Sequence, residues 1–185
     1  VGYAGLLQLG IAAFFGIGAY ITGILTVQQF PFQVGFWPAM VAATLGAGIA
    51  GVLVAAPALR LRGDYLAIVT LGFGEVIKFS IKNLENITNG SRALNPLPSP
   101  WLPGVAPDAW DRDFRWYYFL ALGVLALVIA VLRNLENSPI GRAWMAIRED
   151  ELAAACMGTN AARVKLSAFA LGAALAGLAG ALYAV

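Results

Sequence analysis

The chain has 185 residues, of which 60% are hydrophobic and 12% are charged, whereas a soluble domain is about half apolar and about a quarter charged. It has no histidine and one cysteine, Cys156, which excludes histidine-based catalysis, imidazole metal sites and a disulfide within the chain. The net charge of +2 is too small to indicate a nucleic-acid partner. Since no charged residue precedes Arg60, the composition predicts an integral membrane protein with no catalytic or metal site.

Five apolar stretches are candidates for membrane-spanning helices, which need about 20 residues each. In chain order they are residues 4–27, 38–59, 64–81, 116–132 and 164–185. They predict an all-α fold, a polytopic transmembrane helix bundle of about five membrane segments. Because the chain begins and ends inside apolar runs, we expect a fragment truncated at both ends, with residues 1–185 forming a single transmembrane domain.

The third stretch is the least apolar of the five. It carries Glu75 and Lys78, and each charge at mid-bilayer costs roughly 2.5–3.5 kcal/mol on insertion scales. We therefore expect this helix to pack inside a bundle or to face a polar cavity, with the two side chains paired at i, i+3 spacing. The neighbouring Gly72 and Gly74 predict a locally irregular helix, of the kind that lines transport pathways.

Two polar segments separate the apolar stretches in the second half of the chain. Residues 83–115 hold five of the nine prolines, a density that breaks helices and central strands, so they predict an irregular loop. Residues 133–163 are polar and helical in pattern. Six Lys and Arg residues lie on the side of residues 133–163 and four on the side of the Pro-rich loop, which favours a cytoplasmic position for the former and an external position for the loop.

Residues 133–163 contain two short predicted helices. Ser138 followed by Pro139 is a typical helix start, after which Ile140, Trp144 and Ile147 fall on one face. Three consecutive acids at 149–151 open the second helix, where the helix dipole favours them. We expect Gly158 to end that helix, helped by Asn160. Such an amphipathic pair between two spans is either a solvated loop or a docking surface for a soluble partner.

Small residues recur at every fourth position in two of the spans and predict close helix packing. The first set is Ala39, Ala43, Ala47, Gly51 and Ala55, and the second set is Ala168, Gly172, Ala176, Gly180 and Ala184. This pattern indicates a multi-helix bundle and by itself carries no function.

Three blocks of the sequence resemble a known family. They are Gly10 with residues 12–20 (AAFFGIGAY), residues 57–75 (PALRLRGDYLAIVTLGFGE), and a third block made of 141–143, 146–151, 157–158 and Lys165. In this order they are similar to the branched-chain amino-acid ABC transporter permease family (LivM type). The resemblance implies a multi-pass subunit of an ATP-driven importer in the bacterial inner membrane, which translocates branched-chain (aliphatic) amino acids and is not an enzyme.

The resemblance also implies the partners and the functional residues. Two ABC ATPase subunits would bind the ATP, so that the chain needs no cofactor, and a second permease subunit and an external solute-binding protein would complete the importer within the lipid bilayer. The residues implied in coupling to the ATPase, within segment 133–163, are Arg142, Arg148, Glu149, Asp150, Glu151, Ala153, Ala154 and Gly158. The expected lining of the translocation path is Phe14, Phe15, Thr70, Gly72, Gly74 and Glu75.

Some positions depart from the family pattern and leave other functions open. The coupling motif carries Leu152 where the family has an acid, with Glu151 one residue early, and the first block opens with Gln8-Leu9-Gly10 instead of Ser-Leu-Gly. Related permeases for urea or short amides are therefore an alternative. An ion-coupled secondary transporter that uses Glu75 is a second alternative, and a membrane scaffold without transport activity is a third.

Overall fold

The computed structural model describes residues 5, 8–27, 34–58, 64–90, 94, 100, 110 and 114–184. The helices of this part are α1 (Ile11–Thr26), α2 (Phe36–Ala58), α3 (Asp64–Asn83), α4 (Glu85–Thr88), α5 (Arg115–Glu136), α6 (Pro139–Glu149), α7 (Glu151–Cys156) and α8 (Ala161–Tyr183). Strands are absent from these ranges. The all-α bundle is therefore confirmed. Residues 59–63, between α2 and α3, and most of the predicted Pro-rich loop lie outside the described residues.

Three of the described helices are long and apolar enough to cross a membrane by length and composition, namely α2, α5 and α8. Helix α1 is apolar but has only 16 residues, because it begins at Ile11, later than the predicted start of the first span. Gln8 and Leu9 precede it in non-helical backbone. Helix α3 is long enough at 20 residues but carries Glu75, Lys78 and Lys82.

The core of the bundle lies where α2 and α8 cross, with α1 packed against both. The predicted small-residue face of α2 is confirmed, since Ala39, Ala43, Ala47 and Ala55 are fully buried. On α8 the buried face is Phe169, Ala173, Gly177, Gly180 and Ala181. Of the predicted set, Gly180 is therefore buried and Ala176 packs against the core while partly buried, whereas the face as a whole is shifted from the predicted one. Small side chains let the two backbones approach closely where the surrounding lipid offers no hydrophobic driving force.

Helix α3 is continuous from Asp64 to Asn83, so the predicted irregularity around Gly72 and Gly74 is wrong. A glycine in a helix interior costs only about 1 kcal/mol relative to alanine, which is less than the loss of a turn of backbone hydrogen bonds. At one end of α3, Leu66 is buried against Ala55 of α2 and Phe169 of α8. This contact fixes α3 against the bundle core.

Helix α5 lies beside the bundle without burying any of its own residues. An apolar groove of about 440 Å³ runs between α5 and the pair α2 and α8. Its walls include Trp37 and Met40 of α2, Trp116 and Phe119 of α5, and Leu178 of α8. The carboxyl end of α5 leads directly into α6, which brings residues 133–163 to one end of the bundle.

Candidate functional site

The turn between α5 and α6 is built by Ser138, Pro139 and Gly141. The Ser138 hydroxyl accepts a hydrogen bond from the Gly141 N–H at 3.3 Å, and Pro139 occupies the first turn of α6. A side chain at position 141 would collide with the carbonyl oxygen of Leu135. The predicted helix start is confirmed, and the tight turn sets the direction in which α6 leaves α5.

Helix α6 is fastened to α8 by one buried tryptophan. The Trp144 Nε1–H donates to the Val164 carbonyl at 3.1 Å and to the Ser167 hydroxyl at 3.0 Å. Ile147 is buried on the same face, as predicted. Ile140 belongs to the same helical face but is exposed, because the tight Gly141 contact, rather than Ile140, packs the first turn of α6 against the end of α5.

Helix α7 has a defined cap at each end. The Asp150 carboxylate accepts from the backbone N–H groups of Leu152 and Ala153 at 2.8 and 3.1 Å, so the prediction that acids open this helix is confirmed. Gly158 ends it with a φ of +84°, a left-handed conformation that favours glycine. Asn160 does not help to end α7; its side chain caps α8 by accepting from the Arg163 N–H.

The outer surface of α6 and α7, which we call the coupling surface (residues 142–158), carries charged and large apolar side chains. Glu149, Asp150 and Glu151 are exposed, and the side chains of Leu152 and Met157 are 76% and 85% exposed. Their exposure contrasts with the burial of Ala154 on the inner side of α7. The segment is thus held on its inner face and offers carboxylates and large apolar side chains on its outer face.

The other implied coupling residues take different positions on this segment. Arg142 is exposed and donates from Nη1 to the Asn137 carbonyl at 2.9 Å, while Arg148 and Ala153 are exposed. Glu151 accepts from Lys165 Nζ at 2.6 Å, which ties α7 to the start of α8. Of the implied set, Ala154 alone is buried, so its side chain packs within the chain.

A cleft of about 630 Å³ lies between α1 and α3. Leu9, Leu71 and Ile81 form apolar walls, and Tyr20 lines the side of α1. The ionisable residues that α3 contributes to the cleft are Glu75, Lys78 and Lys82. Glu75 and Lys78 form the predicted ion pair at 3.3 Å, with both side chains more than half exposed.

Comparison with known proteins decides the family. The model of the family described as "Branched-chain amino acid transport system / permease component" matches residues 1–185. The chain belongs to this family of permeases.

Individual permeases of the family are similar over the whole chain. The high-affinity branched-chain amino acid transport system permease protein LivM of Escherichia coli (strain K12) is 40% identical and that of Salmonella typhimurium (strain LT2) is 39% identical, each alignment covering 100% of this chain and 47% of the relative. A probable branched-chain amino acid transport permease protein LivM of Methanocaldococcus jannaschii is 26% identical, with 55% of its length covered. The chain therefore spans about half the length of the curated relatives it matches. A search of solved structures finds no significant match.

Four of the six residues predicted to line the path of this permease lie on α3, namely Thr70, Gly72, Gly74 and Glu75. Gly74 and Glu75 line the cleft, and Thr70 is buried at its end. Gly72 is exposed, and a Cβ added there would contact no described residue beyond its chain neighbours and its own helix backbone.

The two aromatic residues predicted for the path lie away from the cleft lining. Phe14 is 1% exposed and packs in the core against Val54 and Ala173. Phe15 packs on Tyr183 with a ring-centroid distance of 5.4 Å. Both rings therefore join α1 to its neighbours in this arrangement, and their part in a path through the permease stays a prediction.

Sequence reasoning missed several contacts of the permease that join distant residues. The Leu9 N–H donates to Thr70 Oγ1 at 3.3 Å, and neither residue carries a pattern that pairs it with the other. Lys82 lines the cleft, although it is not among the lining residues predicted from the sequence. The signal available for it is the i, i+3, i+7 spacing of residues 75, 78 and 82, which places all three charges near one face of α3.

Proposed function

We propose that the chain forms the membrane-spanning part of a permease subunit in an ATP-binding-cassette importer for branched-chain amino acids. The family and the names of the relatives support this proposal, and the coupling surface is the observation that carries it. Exposed Leu152 and Met157 lie beside three exposed acids on one short helical segment. A short amphipathic helix that docks into the groove of a protein partner offers this combination of apolar and charged side chains.

The partner of the coupling surface is a cytoplasmic ATPase subunit. Two such ATPases bind and hydrolyse the ATP, so this chain holds no cofactor and makes or breaks no covalent bond. A second permease subunit and an external solute-binding protein complete the importer, which resides in the bacterial inner membrane. Nucleic acid has no part in the assembly.

Movement of the ATPases reaches the membrane helices through the contacts of α6. Closure of the ATPases displaces α6 and α7, and the hydrogen bonds of Trp144 to residues 164 and 167 transmit that displacement to α8. Helix α8 packs closely on α2 and α1, with Gly177 against Ala47 and Gly180 against the backbone of Phe15. The three helices therefore tilt together, which opens the path alternately to the two sides of the membrane.

The native thiol of Cys156 tests the proposal. It is exposed at the end of α7, between Leu152 and Met157 on the coupling surface. A bifunctional thiol–amine reagent added to native membranes should join this chain to a protein that carries a nucleotide-binding P-loop, identified by mass spectrometry of the crosslinked band. The Cys156→Ser variant is the control and should give no such band.

Uptake measurements complete the test. Leu152→Ser should lower ATP-driven uptake of leucine, isoleucine and valine because it removes an exposed apolar contact, whereas Leu125→Ser on α5 lies outside the coupling surface and is the matched control for loss of an exposed leucine. Leucine uptake that persists after deletion of the ATPase genes and follows a proton gradient would overturn the proposal. A crosslinked partner without a nucleotide-binding site would overturn the docking assignment.

A further inference from the structure

The charged residues of the cleft between α1 and α3 lie on one wall. Glu75, Lys78 and Lys82 all come from α3, whereas α1 contributes the uncharged side of the cleft, with the small residues Ala12 and Ala13 and the aromatic Tyr20. Charges in a membrane-spanning helix are costly and are retained where they face a polar cavity or a ligand. The cleft is therefore a place where a polar group of a solute meets both signs of charge.

The ion pair in the cleft is accessible to a solute. The side chains of Glu75 and Lys78 are 55% and 58% exposed, at an N–O distance of 3.3 Å, and an exposed pair of this kind contributes little to stability. A ligand with one positive and one negative group can pair its ammonium with Glu75 and its anionic group with Lys78, so that both side chains keep an oppositely charged partner. A ligand with a single charge can engage only one of the two side chains, so it forms fewer charge-assisted hydrogen bonds.

The volume and the apolar walls of the cleft indicate the size and the polarity of the rest of the ligand. A volume of about 630 Å³ lies within the range of roughly 300–1,000 Å³ typical of small-molecule sites. Leu9, Leu71 and Ile81 give the cleft an apolar lining next to the charges. This combination fits a small molecule with a zwitterionic head and an aliphatic tail.

One end of the cleft is closed by backbone contacts. The Leu9 N–H is bonded to Thr70 Oγ1, and Gly10 lies so close to the Thr70 carbonyl that a side chain at position 10 would collide with it. Gly74 packs beside Gly10 at the same point, where a Cβ added to Gly74 would lie 3.6 Å from the Gly10 Cα. The charged residues of the cleft lie farther along α3 than this contact.

We propose that this cleft binds the head of an aliphatic α-amino acid during its passage. Glu75 accepts hydrogen bonds from the ammonium group, Lys78 and Lys82 donate to the carboxylate, and Leu71 and Ile81 contact the aliphatic side chain. The inference rests on the proposed function, because it takes the solute of the importer to be a branched-chain amino acid. It goes further in assigning each half of the zwitterion to named side chains.

The experiment measures protection of an engineered thiol in the complete importer reconstituted in liposomes. The reporter is Leu71→Cys in a Cys156→Ser background, since Leu71 lines the cleft and is exposed; Ala12→Cys on the opposite wall is the second reporter. The rate of maleimide labelling of this chain is followed by mass spectrometry with leucine, with isoamylamine, which lacks the carboxylate, and with 4-methylpentanoate, which lacks the ammonium.

Leucine should slow the labelling of either reporter. Each single-charge analogue should give the same protection only at a concentration at least about tenfold higher, because a hydrogen bond to a charged group is lost. Glu75→Gln should weaken leucine protection by about the same factor. Ser80→Ala is the matched control, since Ser80 lies on α3 between Lys78 and Lys82, bonds only its own helix in the contact described for it, and does not line the cleft. It should leave protection unchanged.

The two proposals fail in different ways. If the importer takes up leucine with ATP but leucine never slows labelling of either reporter, or protects equally in the Glu75→Gln and Ser80→Ala variants, the cleft assignment is wrong and the proposed function stands. If the same liposomes fail to take up leucine, isoleucine and valine with ATP and every partner subunit present, the proposed function is wrong.

Discussion

Replacement of Gly177 by alanine should destabilise the permease by overpacking the crossing of α2 and α8. The added Cβ would overlap the Cβ of Ala47 and approach the Ala43 carbonyl oxygen to 3.1 Å. Neither neighbour is the end of a flexible side chain, so the two backbones must move apart. Overpacking of this kind costs about 1–3 kcal/mol.

The matched control for this substitution is Gly123→Ala on α5. Beyond its chain neighbours and its own helix backbone, no described atom lies within 4 Å of the Cβ that would be added at Gly123. This variant should therefore show only the gain in stability of about 0.5–1 kcal/mol that alanine has over glycine inside a helix. The difference in unfolding free energy between the two variants therefore isolates the overpacking. It should amount to about 1–3 kcal/mol, or a factor of about 5 to 150 in the unfolding equilibrium.

The measurement is a titration of the purified permease in mild detergent with a denaturing detergent, followed by far-ultraviolet circular dichroism. Gly177→Ala should unfold at a lower fraction of denaturing detergent than the wild type, and Gly123→Ala at the same or a higher fraction. If Gly177→Ala proves as stable as Gly123→Ala, the close crossing of α2 and α8 is not how this bundle is packed.

Three further substitutions test the coupling surface and its attachment to the bundle. Gly158→Ala should lower the unfolding free energy by about 1–2 kcal/mol in the same titration, because alanine is strained at a φ of +84°; stability equal to that of the wild type would contradict the left-handed end of α7. Trp144→Phe keeps an aromatic ring but loses the N–H donor, at a cost of about 0.5–1.5 kcal/mol, and should reduce the leucine transported per ATP hydrolysed; an unchanged ratio would contradict transmission through α6. Glu151→Gln breaks the pair with Lys165 and should cost less than about 1 kcal/mol, an effect that should fade at high salt; a salt-independent loss would indicate another role for the carboxylate.

The two short helices α6 and α7 can be predicted because the residues that begin and end them act locally. Ser138, Pro139, Asp150 and Gly158 each act on backbone groups within a few residues, so their positions follow from the sequence alone. The inner face of α6 is harder to predict. The periodicity places Ile140 with Trp144, but the contact that orients the first turn is made by a glycine.

The packing of α8 shows why small-residue spacing fails where local signals succeed. Between residues 168 and 184 this helix has alanine or glycine at most positions, so a four-residue repeat can be drawn along several faces. The face that is buried begins at Phe169, whose large side chain is 2% exposed, and continues through Ala173 and Gly177. On α2 the other faces carry larger residues such as Val41, Leu45 and Ile49, which leaves one face for close packing.

The cleft can be predicted only in part, because it depends on residues far apart in the sequence. The charges of Glu75 and Lys78 indicate a polar cavity beside α3, and the cleft lies there. The closed end depends on the contact between Leu9 and Thr70, which are 61 residues apart. Such a contact has no local signature, so the sequence predicts Thr70 as a lining residue although it holds the segment before α1.

None of the residues of α5 is buried within the described part of the chain, which makes the thickness of the bilayer relevant to this permease. Its uncharged stretch, residues 116–132, extends over about 25 Å, slightly less than a hydrocarbon layer of about 30 Å, and its last turn leads into α6 at Ser138. A span shorter than the hydrocarbon layer is accommodated by local thinning of the bilayer or by its flanking residues, here Arg115 and Arg133. We therefore expect lipids with longer acyl chains to increase this mismatch and to act, through the turn at Ser138, on the orientation of α6.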